Sequence, residues 1–183
     1  MPDFPDNTLA SWNFCEPPGA PRRSSGRTPC ILQEYNGPIA RAFDPRVGSY
    51  AWIRPGQCFI ARHDACPQLN LHGRVSLGIL ALIRPRVAHA WQFIAGKWDE
   101  RGKRQYGLFI GAERRTLDPA WERRPIDGLH VSGYVSGVGG NTPGHEACVT
   151  YATGSTSLRT DQWRSVAMTY DRADIRVYVD GEL

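Results

Sequence analysis

Between Ser165 and Val179 two runs of alternating apolar and polar residues constrain the fold more than anything else in the chain. Val166, Met168 and Tyr170 fall on one face and Ser165, Ala167 and Thr169 on the other, the period-two signature of a β-strand. The polar stretch Asp171-Arg172-Ala173-Asp174 interrupts the pattern as a turn would. Ile175, Val177 and Val179 then resume the apolar face, with Arg176, Tyr178 and Asp180 opposite. Asp180-Gly181 is a two-residue hairpin signal, because both residues tolerate positive φ. The expectation is an antiparallel sheet, and a returning strand beyond Glu182 and Leu183. The sequence therefore reads as either a fragment or a domain without its closing strands.

The rest of the chain supports the same class. Glycine (19) and proline (14) punctuate it every few residues, and no segment holds a 3.6 period over a helical length. Short strands are expected near Ala10–Phe14, Ala40–Phe43, Tyr50–Ile53, Val75–Ile83, Gln92–Trp98, Tyr106–Gly111, Val131–Val135, Ala147–Ala152, Ser165–Tyr170 and Ile175–Val179. Many short strands separated by turn signals imply an all-β sandwich or barrel. Two stretches read as long surface excursions, EPPGAPRRSSGRTP (Glu16 to Pro29) and GAERRTLDPAWERRPIDG (Gly111 to Gly128). No linker or repeat divides the 183 residues, so a single domain spanning 1–183 is expected.

Charge and cysteine content narrow the partners. The net charge of +4 comes from arginine, Lys97 and Lys103 being the only lysines. The arginine pairs Arg22-Arg23, Arg114-Arg115 and Arg123-Arg124 are scattered along the chain, not concentrated as a nucleic-acid footprint is. No apolar run approaches the ~20 residues of a membrane-spanning helix. The N-terminal MPDFPDNTLASWNF has no basic segment followed by an apolar core, so no secretory signal is visible. Five cysteines form no CxxC pair, which argues against zinc. Cys58 and Cys66 bracket a short loop that a disulfide can close, and Cys15 and Cys30 bracket another; free thiols are the alternative.

Five segments together carry a family likeness. ASWNFCEP (Ala10 to Pro17), PIARAFD (Pro38 to Asp44), LNLHGRVSLGILALIRP (Leu69 to Pro85) and FIAGKWDERGKRQYGLFIG (Phe93 to Gly111) resemble successive strands of laminin-G-like, concanavalin A-like domains. LRTDQWRSVAMTYDRADIRVYVDGEL (Leu158 to Leu183) is the closest match. The resemblance implies a two-sheet antiparallel jelly-roll sandwich. It also implies an extracellular or cell-surface setting, a glycan or glycoprotein partner, and in many members a rim-bound calcium.

The superfamily includes glycanases, so catalysis needs testing against the residues. The paired carboxylates of a retaining glycosidase, about 5 Å apart, come from an E-x-D-x-x-E strand that this chain lacks. Asp99, Glu100, Glu146, Asp161, Asp171 and Asp174 are the acidic candidates, and adjacent Asp99 and Glu100 would face opposite sides of a strand. No G-x-S-x-G elbow is present. A non-catalytic carbohydrate-binding or adhesion module is the first reading, a glycoside hydrolase or polysaccharide lyase the second, and a protein-interaction scaffold the third. Sugar recognition needs flat aromatics and multi-pronged polar groups. Tyr134, Asn141, His145, Glu146 and Tyr151, in VSGYVSGVGGNTPGHEACVTY, are candidates, as is Trp121 in the second long excursion. Asp44, Asp171, Asp174 and Asp180 are the candidate calcium ligands.

Overall fold

The computed structural model describes residues 6–71, 75–87, 91–99, 103–116, 122–145 and 150–183, with the backbone alone at 112–116 and 122–127. The chain is all-β, with several antiparallel sheets and, among the described residues, two short 3-10 turns. It divides into two compact units, Met1–Asn70 and Leu71–Leu183. Among the described residues no helix is long and apolar enough to cross a membrane.

The first unit holds a sheet of β1 (Arg22–Arg23), β2 (Ile31–Tyr35) and β5 (Cys58–Ile60), and a hairpin of β3 (Ala40–Asp44) and β4 (Gly48–Trp52). Ala10–Phe14 does not form the expected strand. Only Ser11 pairs, with Ser25, and Phe14 turns into the left-handed region at φ 54°, which ends the extension. The stretch from Glu16 to Pro29 is not a free excursion either. It contributes β1, and Arg22 within it is 1% exposed, held by the Glu34 carboxylate at 2.7 Å and by the Pro17 carbonyl at 2.8 Å.

The disulfide joins Cys30 to Cys66, not Cys58 to Cys66 or Cys15 to Cys30. The sheet register explains the correction. Gln33 lies opposite Ile60 and Tyr35 opposite Cys58, so the chain leaving β5 runs back toward the start of β2, where Cys30 stands. The turn at His63–Ala65 then delivers Cys66 to it, with the two Cα atoms 5.7 Å apart. Both sulfurs' residues are buried, whereas Cys15 and Cys58 are exposed free thiols. Cys148 lies outside the described residues.

The second unit is two antiparallel sheets face to face. One runs β12 (Ile175–Val179), β11 (Arg164–Tyr170), β6 (Leu77–Ile83). The other runs β10 (Tyr151–Thr153), β9 (Glu122–Val135), β8 (Arg104–Thr116), β7 (Gln92–Trp98). Alternation decides which side chains meet. Val166, Met168, Val177 and Val179 from the first sheet and Leu108, Ile110, Val131 and Val135 from the second form one core. Gly133 on β9 sets how closely the sheets approach: a Cβ there would meet Met168, Ile175 and Val177 at 3.1 Å. At Asp180-Gly181 the chain turns as expected, and Val179 pairs with Glu182 across it.

The stretch from Gly111 to Gly128 departs from its reading as a loop. β8 and β9 continue into it as a two-stranded ribbon, with Glu113 opposite Pro125 and Thr116 opposite Glu122. The same register sets Arg114 opposite Arg124 and Arg115 opposite Arg123, so pairs separated in sequence become cross-strand neighbours. Of the strand expected over Ala147–Ala152, residues 146–149 lie outside the described residues and the remainder begins β10.

Candidate functional site

An aromatic face on the outer side of the β10-β9-β8-β7 sheet is the candidate site. Its origin is the strand period. In β8, Leu108 and Ile110 point into the core, so Phe109 between them points out. In β9, Val131 and Val135 point in, so Ser132 and Tyr134 point out. The register places Tyr151 of β10 opposite Tyr134 and Phe93 of β7 opposite Phe109.

Six rings gather on this face. Phe109 meets Phe93 at 5.1 Å, Trp98 at 5.1 Å and Trp91 at 6.3 Å between centroids, all edge to face. Tyr134 meets Phe109 at 5.0 Å and Trp98 at 5.6 Å, and lies stacked with Tyr151 at 5.1 Å. Edge-to-face and offset arrangements are those the ring quadrupole favours, at about 0.5–1.5 kcal/mol per pair beyond area burial. Glycine makes room beneath them. A Cβ on Gly107 would strike the Phe109 ring at 2.6 Å, so the bare backbone is the floor on which the rings lie.

Exposure sorts these rings into support and contact. Tyr134 is only 6% exposed and serves as the buried centre of the cluster. Phe93 is 48% exposed, and Trp91, Trp98, Phe109 and Tyr151 are half-buried, so they present ring surface at the boundary with solvent. The polar groups on the face lie along β9 and β10: Ser132 hydrogen-bonds Thr153 at 2.9 Å, and His130 Nδ1 lies 3.0 Å from the Gly154 carbonyl. Among the described residues of this paired region (92–98, 104–111, 128–135 and 151–153) none is acidic.

A glycine-rich loop closes one end of the face. Ser136 N–H donates to the Gln105 carbonyl at 2.7 Å, and Ser136 Oγ donates to the Gly140 carbonyl at 2.8 Å. The Arg104 N–H donates to the Gly139 carbonyl at 3.0 Å, tying the loop to the start of β8. The Arg104 guanidinium lies over the Trp98 ring, 4.9 Å from its centroid. On β7 the Lys97 amine is buried without a hydrogen-bond partner, and burial lowers its pKa. Its cross-strand neighbour Tyr106 is buried in the core, which pushes its phenol up to about 12.

Of the candidate sugar-binding residues, Tyr134 and Tyr151 come together on this face, Tyr134 as support and not as a contact surface. Asn141 and His145 lie on the loop that leaves β9, where the His145 N–H donates to the Thr142 carbonyl at 2.9 Å. Trp121 and Glu146 lie outside the described residues. Phe93, Trp98, Phe109 and Arg104 escaped sequence reading. The available signal was a large aromatic out of phase with the core, Phe109 between Leu108 and Ile110.

The candidate calcium ligands are not assembled. Asp44 belongs to the Met1–Asn70 unit and is bound to Arg46 at 3.2 Å. Asp171 takes the Ala173 and Asp174 N–H groups and pairs with Arg176 at 2.6 Å, and Asp174 pairs with the same guanidinium at 2.8 Å. These contacts hold the Asp171 carboxyl well below the ordinary range, the Asp174 backbone N–H and the Arg176 guanidinium contributing most. Asp180 sits at the other end of the same hairpin, paired with Arg164 at 2.6 Å. No group of three or more His, Cys, Asp or Glu side chains is gathered among the described residues, and these four do not fit a cation that takes 6–8 oxygen ligands. The acidic catalytic candidates among the described residues sit in turns and ion pairs. The Asp99 N–H donates to the Lys103 carbonyl at 2.8 Å, and Asp161 pairs with Arg86 at 3.0 Å; Glu100 and Glu146 lie outside the described residues.

In comparison with known proteins, the chain matches no family model, no curated protein and no solved structure.

Proposed function

We propose that the Leu71–Leu183 unit is a concanavalin A-like jelly roll that binds carbohydrate without catalysis, using the aromatic face of the β10-β9-β8-β7 sheet. One observation carries the reading: exposed Phe93 and half-buried Trp91, Trp98, Phe109 and Tyr151 are gathered around the buried ring of Tyr134. Rigid rings bind at low entropic cost, because little side-chain freedom is lost on contact. Their faces suit the C–H faces of a pyranose, while Arg104 and the loop after β9 bring polar groups to one end. Among the described residues, 92–98, 104–111, 128–135 and 151–153 carry no acidic side chain, which supports binding over hydrolysis, since hydrolysis needs two carboxyl groups flanking the bond. The Cys30–Cys66 disulfide supports an extracellular or cell-surface setting and a glycan or glycoprotein partner.

The test is a glycan array probed with the full chain and with Phe93→Ala and Trp98→Ala variants. Defined glycans retained by the parent and lost by both variants support the reading. A blank array from folded protein, or one unchanged by both substitutions, overturns it and moves the partner to protein.

A further inference from the structure

Arg104 differs from the arginines of the chain that are held in ion pairs. Arg22, Arg46, Arg86, Arg164 and Arg176 each pair with a carboxylate. Arg104 forms no ion pair and no side-chain hydrogen bond among the described residues, and its Nε is buried without a partner. It is nonetheless fixed. Its backbone N–H is bound to Gly139, Trp98 lies opposite it across the hairpin, and the guanidinium lies over that indole ring. Stacking holds the plane of the guanidinium and leaves its N–H edge to meet something else. A cation so placed, beside rings and with no carboxylate partner among the described residues, is matched by a planar anion.

We propose that Arg104 makes the aromatic face selective for sugars that carry a carboxylate, such as uronic acids. This rests on the sugar-binding reading and specifies its ligand class. Two parallel N–H···O bonds from the guanidinium suit a carboxylate, and charge-assisted bonds are about twice as strong as neutral ones. Trp98 then serves both partners, stacking on the guanidinium and bordering the sugar ring. A neutral sugar offers Arg104 only hydroxyl groups and leaves the cation uncompensated.

The experiment is calorimetric titration of the full chain with an oligouronic acid and with the same oligomer carboxyl-reduced to its neutral form. The expected result is about tenfold or greater preference for the acidic form, abolished in Arg104→Gln and only partly kept in Arg104→Lys. Near-ultraviolet circular dichroism shows whether the aromatic cluster survives each substitution. Equal affinity for both forms, or a preference that persists in a folded Arg104→Gln variant, overturns the inference while leaving sugar binding intact. Failure of both forms to bind removes the sugar-binding reading itself, and the inference with it. A short DNA duplex is run in parallel; affinity equal to that of the oligouronate, and lost with Arg104→Gln, would show general anion pairing and overturn selectivity for sugar.

Discussion

Replacing Glu34 by alanine tests the internal logic of the first unit. The Arg22 and Glu34 side chains are 1% and 7% exposed, and their ion pair spans 2.7 Å. The second Glu34 oxygen accepts the Gly19 N–H at 3.0 Å and the Ile39 N–H at 2.9 Å, so one carboxylate ties three segments together. Removing it strands a buried guanidinium and two N–H groups. Breaking a buried pair from one side costs about 3–5 kcal/mol. Arg22 keeps the Pro17 carbonyl at 2.8 Å and the Phe59 ring at 5.2 Å, which places the loss toward the lower end. Glu34→Gln, which keeps size and an acceptor, loses roughly half as much, as a neutral hydrogen bond is weaker than a charged one. The double replacement Arg22→Met with Glu34→Leu recovers part of the loss, because no guanidinium is left buried without its carboxylate, but not all of it, because the Gly19 and Ile39 N–H groups still lack their acceptor. Hydrogen exchange read by mass spectrometry on peptides from Met1–Asn70 measures this directly. At about 1.4 kcal/mol per tenfold, Glu34→Ala raises their exchange roughly a hundredfold or more. A change below tenfold, or a double variant as unstable as the single, refutes the reasoning.

Three further outcomes follow from the same structure. Replacing Cys30 and Cys66 by serine opens a loop of sequence separation 36 and lowers stability by about 3–4 kcal/mol in denaturant unfolding; a loss under 1 kcal/mol speaks against that pairing. Gly133→Ala forces a Cβ to within 3.1 Å of Met168, Ile175 and Val177 and costs about 1–3 kcal/mol, seen as a Tm several degrees lower; an unchanged Tm means the sheets are not so close. The depressed Asp171 carboxyl supports the β11–β12 turn at pH above its unfolded value, and that support is lost as pH falls through the lower folded value. A carbon-detected NMR titration of Asp171 with a midpoint at or above the ordinary value of 3.8 contradicts this.

What the sequence reveals follows from where a buried face exists to impose a pattern. β11 and β12 are legible because Val166, Met168, Val177 and Val179 must all reach one core, so the period of two is complete. The β8–β9 ribbon is not, since its residues, Glu113 to Thr116 and Glu122 to Pro125, show no apolar alternation. β2 is missed for a different reason: its inner face carries charged Glu34, there to neutralise Arg22, beside Leu32, while Ile31 and Tyr35 are exposed on the other, so neither face is uniformly apolar. The cysteine pairing depends on the β2–β5 register, a relation between strands that no spacing along the chain encodes. The site is half legible on the same grounds. Tyr134 and Tyr151 stand in a glycine-rich stretch that attracts notice, whereas Phe93, Trp98 and Arg104 become neighbours of that pair only through the β7–β8–β9 register.

The most direct test of sugar binding at the aromatic face is an amide and aromatic NMR shift map of the full chain titrated with the tightest-binding glycan. The account predicts saturable shifts at Phe93, Trp98, Arg104, Phe109 and Tyr151 and at the Ser136–Gly140 loop, with β6, β11 and β12 undisturbed. Shifts confined to the β12-β11-β6 sheet or to Met1–Asn70, with the aromatic face silent, would contradict it.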